Sequence, residues 1–245
     1  MAAAFHVGRA MSDSAEAPAP GQRTRGGAQP PVLVINPNTN PAVTGLVRRA
    51  AAGIAAPGVV TVVNPAEGPF SIETDEDRDR AEAELLALIG REASAGYGAM
   101  ALACFDDIGL ASAQRLAGVP VISACAAGIG AARAIGRFTT VTTFESAVPT
   151  IRELLARYGA VGMPVRAAGI GVAAAAAGER WANARLEAAV RAAIQLDRAE
   201  AILLASGGLT GRTEALSKMF DVPVIDAVVA GIEQALAATS GAAGT

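Results

Sequence analysis

The chain has 245 residues, enough for one large domain or two modest ones. It carries 20 Lys and Arg against 23 Asp and Glu, for a net charge of −3, with one histidine. A hydrophobic fraction of 52% is enough for a native core and excludes wholesale disorder, while the mild acidity lacks the clustered basic face that nucleic-acid binding demands.

Residues 1–30 are rich in Ala, Pro, Gly, Ser and Arg, lack the apolar core of a signal peptide, and read as a flexible tail. Short β-rich runs then alternate with Ala-rich helical stretches. PVLVINP (31–37) predicts a buried strand, followed by a helix over 41–55. VVTVVNP (59–65) is a second strand, and a helix begins at the acidic run from Thr74. AMALACF (99–105) and VPVISA (119–124) are the third and fourth strands, each followed by a helix. The alternation implies right-handed crossovers and a parallel sheet.

The second half repeats the scheme. Strands are predicted at RFTTVTTF (137–144), VRAAGIGVA (165–173), AILLASG (201–207) and VPVIDA (222–227), with helices between and after them. Ala-Met-Ala-Leu-Ala-Cys104 aligns with Ala-Ile-Leu-Leu-Ala-Ser206, Val119–Ile122 with Val222–Ile225, and Gly128-Ile129 with Gly231-Ile232. Three matches in order at an offset of 102 to 103 residues indicate an internal duplication giving two α/β lobes. Ligands of open parallel sheets lie beyond the carboxyl ends of the strands, so Cys104 and Ser206 are expected to view one ligand from opposite sides.

The histidine, His6, lies in the tail, which argues against a zinc site and against a histidine base. The two cysteines are too few for a secreted disulfide scaffold, and no run of about 18 apolar residues is free of charges and turn signals. These features predict a soluble cytoplasmic protein that binds a small molecule, without metal, nucleic acid or membrane.

Cys104 has two readings: a small core hydrophobe, or a proton carrier activated by backbone N–H groups at a helix start. Its equivalence with Ser206 and the polar turn Phe105–Gly109 favour the second. Cys125 aligns with Val228 and reads as core. Ser206-Gly207-Gly208 offers backbone N–H groups for a carboxylate or enolate, unless it is an ordinary turn. Asn36, Asn38 and Thr39 leave the first strand with polar side chains suited to carbonyl or amide groups, besides a helix-capping role. Thr142 and Thr143 hold the matching place in the second half.

At these residues the chain resembles the aspartate/glutamate/hydantoin racemase superfamily, nearest to hydantoin and allantoin racemases. The resemblance spans residues 31 to about 235 and rests on V-I-N-P-N-T (34–39), G-P-F-S-I-E (68–73) and A-C-F-D-D-I-G-L (103–110). It implies a cofactor-independent enzyme, commonly a homo-oligomer, of two pseudo-symmetric lobes. It also implies two facing cysteines that deprotonate and reprotonate a stereocentre. By that resemblance residues 31–124 plus 226–245 form one lobe and 125–225 the other.

The first catalytic cysteine carries over onto Cys104, whereas the second falls on Ser206. A hydroxyl is a poor base without an activating partner, and Lys218 serves only if the fold brings it near. Asp106 replaces the usual glycine, and a carboxylate there raises the thiol pKa. Three accounts follow. The serine is an introduced substitution that disables turnover, or the natural enzyme needs one acid, or the chain is a non-catalytic ligand-binding relative. The one-acid account draws on arylmalonate decarboxylases, whose S-C-G-G-L stretch resembles A-S-G-G-L at 205–209.

Overall fold

A computed structural model describes residues 29–241; the expected tail through residue 28, and His6 within it, lie outside the described residues. The first half runs β1 (Val32–Ile35), α1 (Pro41–Ile54), β2 (Val60–Val63), α2 (Asp75–Glu92), β3 (Ala99–Leu102), α3 (Leu110–Leu116) and β4 (Val121–Ser123). The second comprises α4 (Ala124–Ile135), β5 (Phe138–Thr142), α5 (Val148–Arg157), β6 (Val165–Ala167), α6 (Val172–Ala177), α7 (Arg180–Asp197), β7 (Ala201–Leu204), α8 (Thr213–Phe220), β8 (Val224–Asp226) and α9 (Ala227–Gly241).

All the strand pairings are parallel, and the strands form two four-stranded sheets of the same order, β2-β1-β3-β4 and β6-β5-β7-β8. The register makes the correspondence exact to the residue. Ile35 pairs with Leu102 as Val141 pairs with Leu204, and Leu102 pairs with Ser123 as Leu204 pairs with Asp226. Ser123 and Asp226 then begin equivalent helices: Ser123 Oγ accepts from Ala126 N–H, and Asp226 Oδ1 accepts from the N–H groups of Val228 and Val229. Each side chain satisfies N–H groups that a helix start leaves unpaired.

Strand residues alternate between two apolar layers on each sheet, as a doubly covered parallel sheet requires. In the first, Val32, Val34 and Ala101 pack with Val47 and Ile232, while Leu33, Ile35 and Met100 pack with Leu85 and Ile89. In the second, Phe138 and Leu203 meet Ile129, Ile151 and Leu155, while Ile202 and Leu204 meet Leu186 and Val190. Full burial of each such side chain contributes roughly 1.5–3 kcal/mol.

Helix α4 packs on β5 and β7, whereas α9 packs on β1, β3 and β4, so the two helices cross between the sheets. The crossing is built on reciprocal glycines. A Cβ at Gly128 would lie 2.9 Å from the Cα of Ala227, and one at Gly231 would lie 3.1 Å from the Cα of Ala124. Small residues at matching positions allow the helix backbones to approach closely.

One predicted element changes. The strand expected over 165–173 ends at Ala167, and Val172 instead opens α6. The alanine run favours helix, and its first turn is fixed by a contact from the other lobe: the N–H of Val172 donates to Glu73 Oε1 at 3.0 Å. Sequence periodicity carries no sign of a partner 99 positions away.

Candidate active site

The two strand ends converge. Cys104 and Ser206 each lie two residues beyond their strand, β3 and β7. The preceding residues make matching bonds, Ala103 N–H to Ile35 O (2.8 Å) and Ala205 N–H to Val141 O (2.9 Å), which extend both ladders toward the same gap. Cys104 and Ser206 line one small cavity between the lobes. Gly207 fits there because a Cβ would stand 3.1 Å from Ala103 O, and one on Gly208 would stand 2.9 Å from Val172 O.

Of the other candidates, Asn38, Phe105, Thr142 and Thr143 also line this cavity, while Asn36, Thr39, Gly207 and Gly208 are not on its wall. Asn36 is fully buried behind it and donates to Asn38 Oδ1 and Thr44 Oγ1, both at 3.0 Å. The Asn38 oxygen also accepts from Asn40 N–H, which leaves its amide NH2 as the group presented to a ligand. Thr39 is spent on the loop, donating through both its N–H and its hydroxyl to Pro69 O. Thr142 Oγ1 donates to Ala205 O at 3.2 Å, but the buried Thr143 hydroxyl has no partner among the described residues. A buried polar atom without a partner is costly, and this one faces a cavity where a ligand can supply the bond. Gly208 N–H donates to Ser206 Oγ at 3.3 Å, so that amide is engaged by the serine.

The surroundings of Cys104 depart from expectation. No helix begins at the thiol: α3 starts at Leu110, after Gly109 in the left-handed region. The helix dipole therefore gives it no activation. Burial foremost, and then the Asp106 carboxylate, push the half-buried Cys104 thiol up to about 12. Asp106 is paired with Arg78 of α2, Nη1 to Oδ2 at 2.5 Å, yet burial outweighs this and raises its carboxyl pKa. Asp107, at φ 53°, accepts from Ser123 Oγ at 2.5 Å and from the Tyr158 hydroxyl. Tyr158 follows α5, so this bond, like that between Glu73 and Val172, ties one lobe to the other.

Cys125 is fully buried in the apolar layer beside Ile129 and Phe138, and burial holds its thiol protonated. Lys218 is not among the residues lining the cavity, so Ser206 gains no amine partner there. Among the described residues no group of three or more His, Cys, Asp or Glu forms a metal site, and no helix is long and apolar enough to cross a membrane. Five lining residues carried no assigned role in the sequence: Ile72, Phe144, Ala147, Val172 and Ala205. Ile72 lies within the G-P-F-S-I-E segment, the one available signal, whereas Val172 enters through the Glu73 contact.

The chain is similar to known proteins over most of its length. A family described as Asp/Glu/Hydantoin racemase matches residues 32–235. A hydantoin racemase of Rhizobium meliloti is 35% identical over 208 residues, covering 83% of this chain and 86% of the relative. The allantoin racemase from Klebsiella pneumoniae superposes with a TM-score of 0.81 at 31% identity, covering 86% and 88% of the two chains. A doubly substituted arylmalonate decarboxylase, at 22% identity and a TM-score of 0.65, covers 86% and 93% and shares the fold.

Proposed function

The chain belongs to the Asp/Glu/hydantoin racemase family, and we propose that it moves a proton at the carbon α to a carbonyl of a hydantoin- or allantoin-like ring, with Cys104 as the carrier. The family and its named relatives make it an isomerase of the racemase type. The finer reading rests on one observation: Cys104 and Ser206 stand at matching strand ends and line one cavity from two lobes. An enolate is planar at the reacting carbon and presents one face to each. No cofactor is called for, since the adjacent carbonyl acidifies the C–H bond and a side chain moves the proton.

The oxygens of the ring accept hydrogen bonds from the Asn38 amide and the Thr143 hydroxyl. These donors stabilise the charge that develops on the carbonyl oxygen as the C–H bond breaks. Cys104 rests as a thiol, because its pKa stands at about 12. It is therefore ready to return a proton to the enolate carbon on its own face. Abstraction by the same group requires the thiolate, whose fraction rises tenfold per pH unit below the pKa. Rate in the deprotonating direction accordingly climbs with pH. Ser206 has no amine partner among the residues lining the cavity, so the two faces differ in speed.

The protonated thiol also favours a second reading, in which only an acid is needed. A malonate bound in the cleft loses carbon dioxide, and Cys104 protonates the resulting enediolate on one face. The two readings separate in deuterium oxide. A single enantiomer of a 5-substituted hydantoin is expected to gain α-deuterium and lose optical rotation, and both changes disappear in Cys104→Ala. Carbon dioxide release from a malonate without exchange on any hydantoin supports the lyase instead. Thermal stabilisation by the ring with neither reaction identifies a binding protein.

A further inference from the structure

The chain passes between the two sheets where β4 meets α4, and again where β8 meets α9. At each crossing a polar side chain reaches the turn that lies beyond β3 or β7, and the residue it meets there is left-handed. Asp226 accepts from the N–H of Gly211 (φ 83°) at 2.8 Å, and Ser123 Oγ donates to Asp107 (φ 53°) at 2.5 Å. The carboxylate thus belongs to the crossing in one lobe and to the turn in the other. Asp107 has a second oxygen to spare, and this oxygen accepts from the Tyr158 hydroxyl of the opposite lobe. We infer that Tyr158 is a positioning residue that acts through Asp107 to fix the seat of Cys104, an inference that rests on the reading of Cys104 as the proton carrier.

Tyr158 is a fixed anchor. Its N–H donates to Leu154 O at 3.0 Å, its carbonyl accepts from Arg133 Nη1 at 3.2 Å, and its side chain packs against the apolar layer that holds Ile151 and Phe138. Burial foremost, and then Asp107, push its hydroxyl up to about 12, so it stays a donor. Left-handed backbone is costly for a residue with a Cβ; Asp tolerates it better than most, and the two hydroxyl bonds hold Asp107 in it. Leu110 N–H closes the turn on Asp107 O at 3.1 Å. The next residue along, Ile108, is buried with Ile72 and Ala81, and Cys104 packs against this cluster. The path from Tyr158 to the thiol therefore runs through Asp107 and Ile108, and Tyr158 itself does not line the cavity. Ser206 has no such tie among the described residues: two glycines follow it, and Asp226 serves only backbone N–H groups.

The test pairs Tyr158→Phe, which removes the hydroxyl and keeps the ring, with Asp107→Gly, which permits the left-handed backbone and removes the carboxylate. Labelling of each cysteine by iodoacetamide at pH 9 is followed by peptide mass spectrometry, with the fully buried Cys125 reporting an intact fold. Cys104 is expected to label severalfold faster in Tyr158→Phe, as its seat loosens, while Cys125 stays unlabelled. Tyr158→Phe is expected to add nothing in the Asp107→Gly background, because the two side chains act as one unit. In α-deuterium incorporation into a 5-substituted hydantoin, Tyr158→Phe should lose about tenfold in kcat with KM nearly unchanged. Cys104 labelling that is not faster, Cys125 labelling alongside it, or independent effects of the two substitutions overturns the inference, as does a loss carried by KM alone. Absence of exchange in the wild type overturns the racemase reading, and the labelling then still decides whether Tyr158 positions Cys104.

Discussion

The ends of β3 and β7 occupy the same place in two sheets of identical order, and their chemistry differs. After β3 come a thiol and two carboxylates, tied to Arg78, Ser123 and Tyr158. After β7 come a hydroxyl and two glycines, with the hydroxyl oxygen accepting from the second glycine's N–H. The backbone bonds that lead into the two ends are the same. Fold symmetry therefore brings two strand ends to one cavity without making their side chains equal. On the proposed reading, the acid/base capacity lies in the first lobe, and the second supplies shape and neutral contacts.

The largest effect expected from breaking this contrast is loss of Cys104. Replacement by Ala should lower exchange at the α-carbon by about 10²–10⁴-fold, the usual worth of a positioned acid/base group. Stopped-time NMR of a single enantiomer measures it. The symmetric half of the comparison is tested at the helix crossing. Gly128→Ala forces a methyl against Ala227 and Leu203 and should cost about 1–3 kcal/mol in denaturant unfolding. Gly231→Ala, where the approach is looser, should cost less.

Ser206→Cys places a second thiol on the opposite face, and inversion relative to exchange should rise on the order of tenfold. Chiral chromatography together with deuterium content gives both numbers. Asp106→Gly removes a carboxylate that raises the thiol pKa, so alkylation of Cys104 by iodoacetamide at pH 9 should quicken, by roughly tenfold for each pH unit of downward shift. The smallest expected effect is on alkaline stability. A thiol at about 12 in the fold, against 9.0 for an ordinary cysteine, keeps its proton after the unfolded chain has lost it. Its contribution is thus fully present below pH 9 and declines as pH climbs from 9 toward 12. The unfolding midpoint should fall over that window, and less steeply in Cys104→Ala.

Much of this asymmetry was legible in the chain itself. Alternating strands and helices, with apolar runs such as Val32–Ile35 and Ala201–Leu204, carried the parallel sheets, because a doubly covered strand must be apolar on both sides. The spacing between Cys104 and Ser206 carried their equivalence. The thiol's electrostatics were only half legible. Asp106 two positions away pointed upward, but the absence of a helix at Cys104 depended on Gly109 delaying α3 to Leu110. Val172 was out of reach because Glu73, far off in sequence, decides that a helix begins there. Asn36 shows the opposite case: its polarity was visible, while its burial behind Asn38 follows from how the loop folds onto Thr44.

The central claim is that proton traffic at the reacting carbon runs through Cys104 and favours its face. The most direct measurement follows one enantiomer of a 5-substituted hydantoin in deuterium oxide, recording deuterium incorporation and inversion together, for the wild type and Cys104→Ala. The account predicts incorporation with retention outpacing inversion for the enantiomer whose α-hydrogen faces Cys104, and loss of both processes in the variant. Undiminished turnover in Cys104→Ala would contradict it.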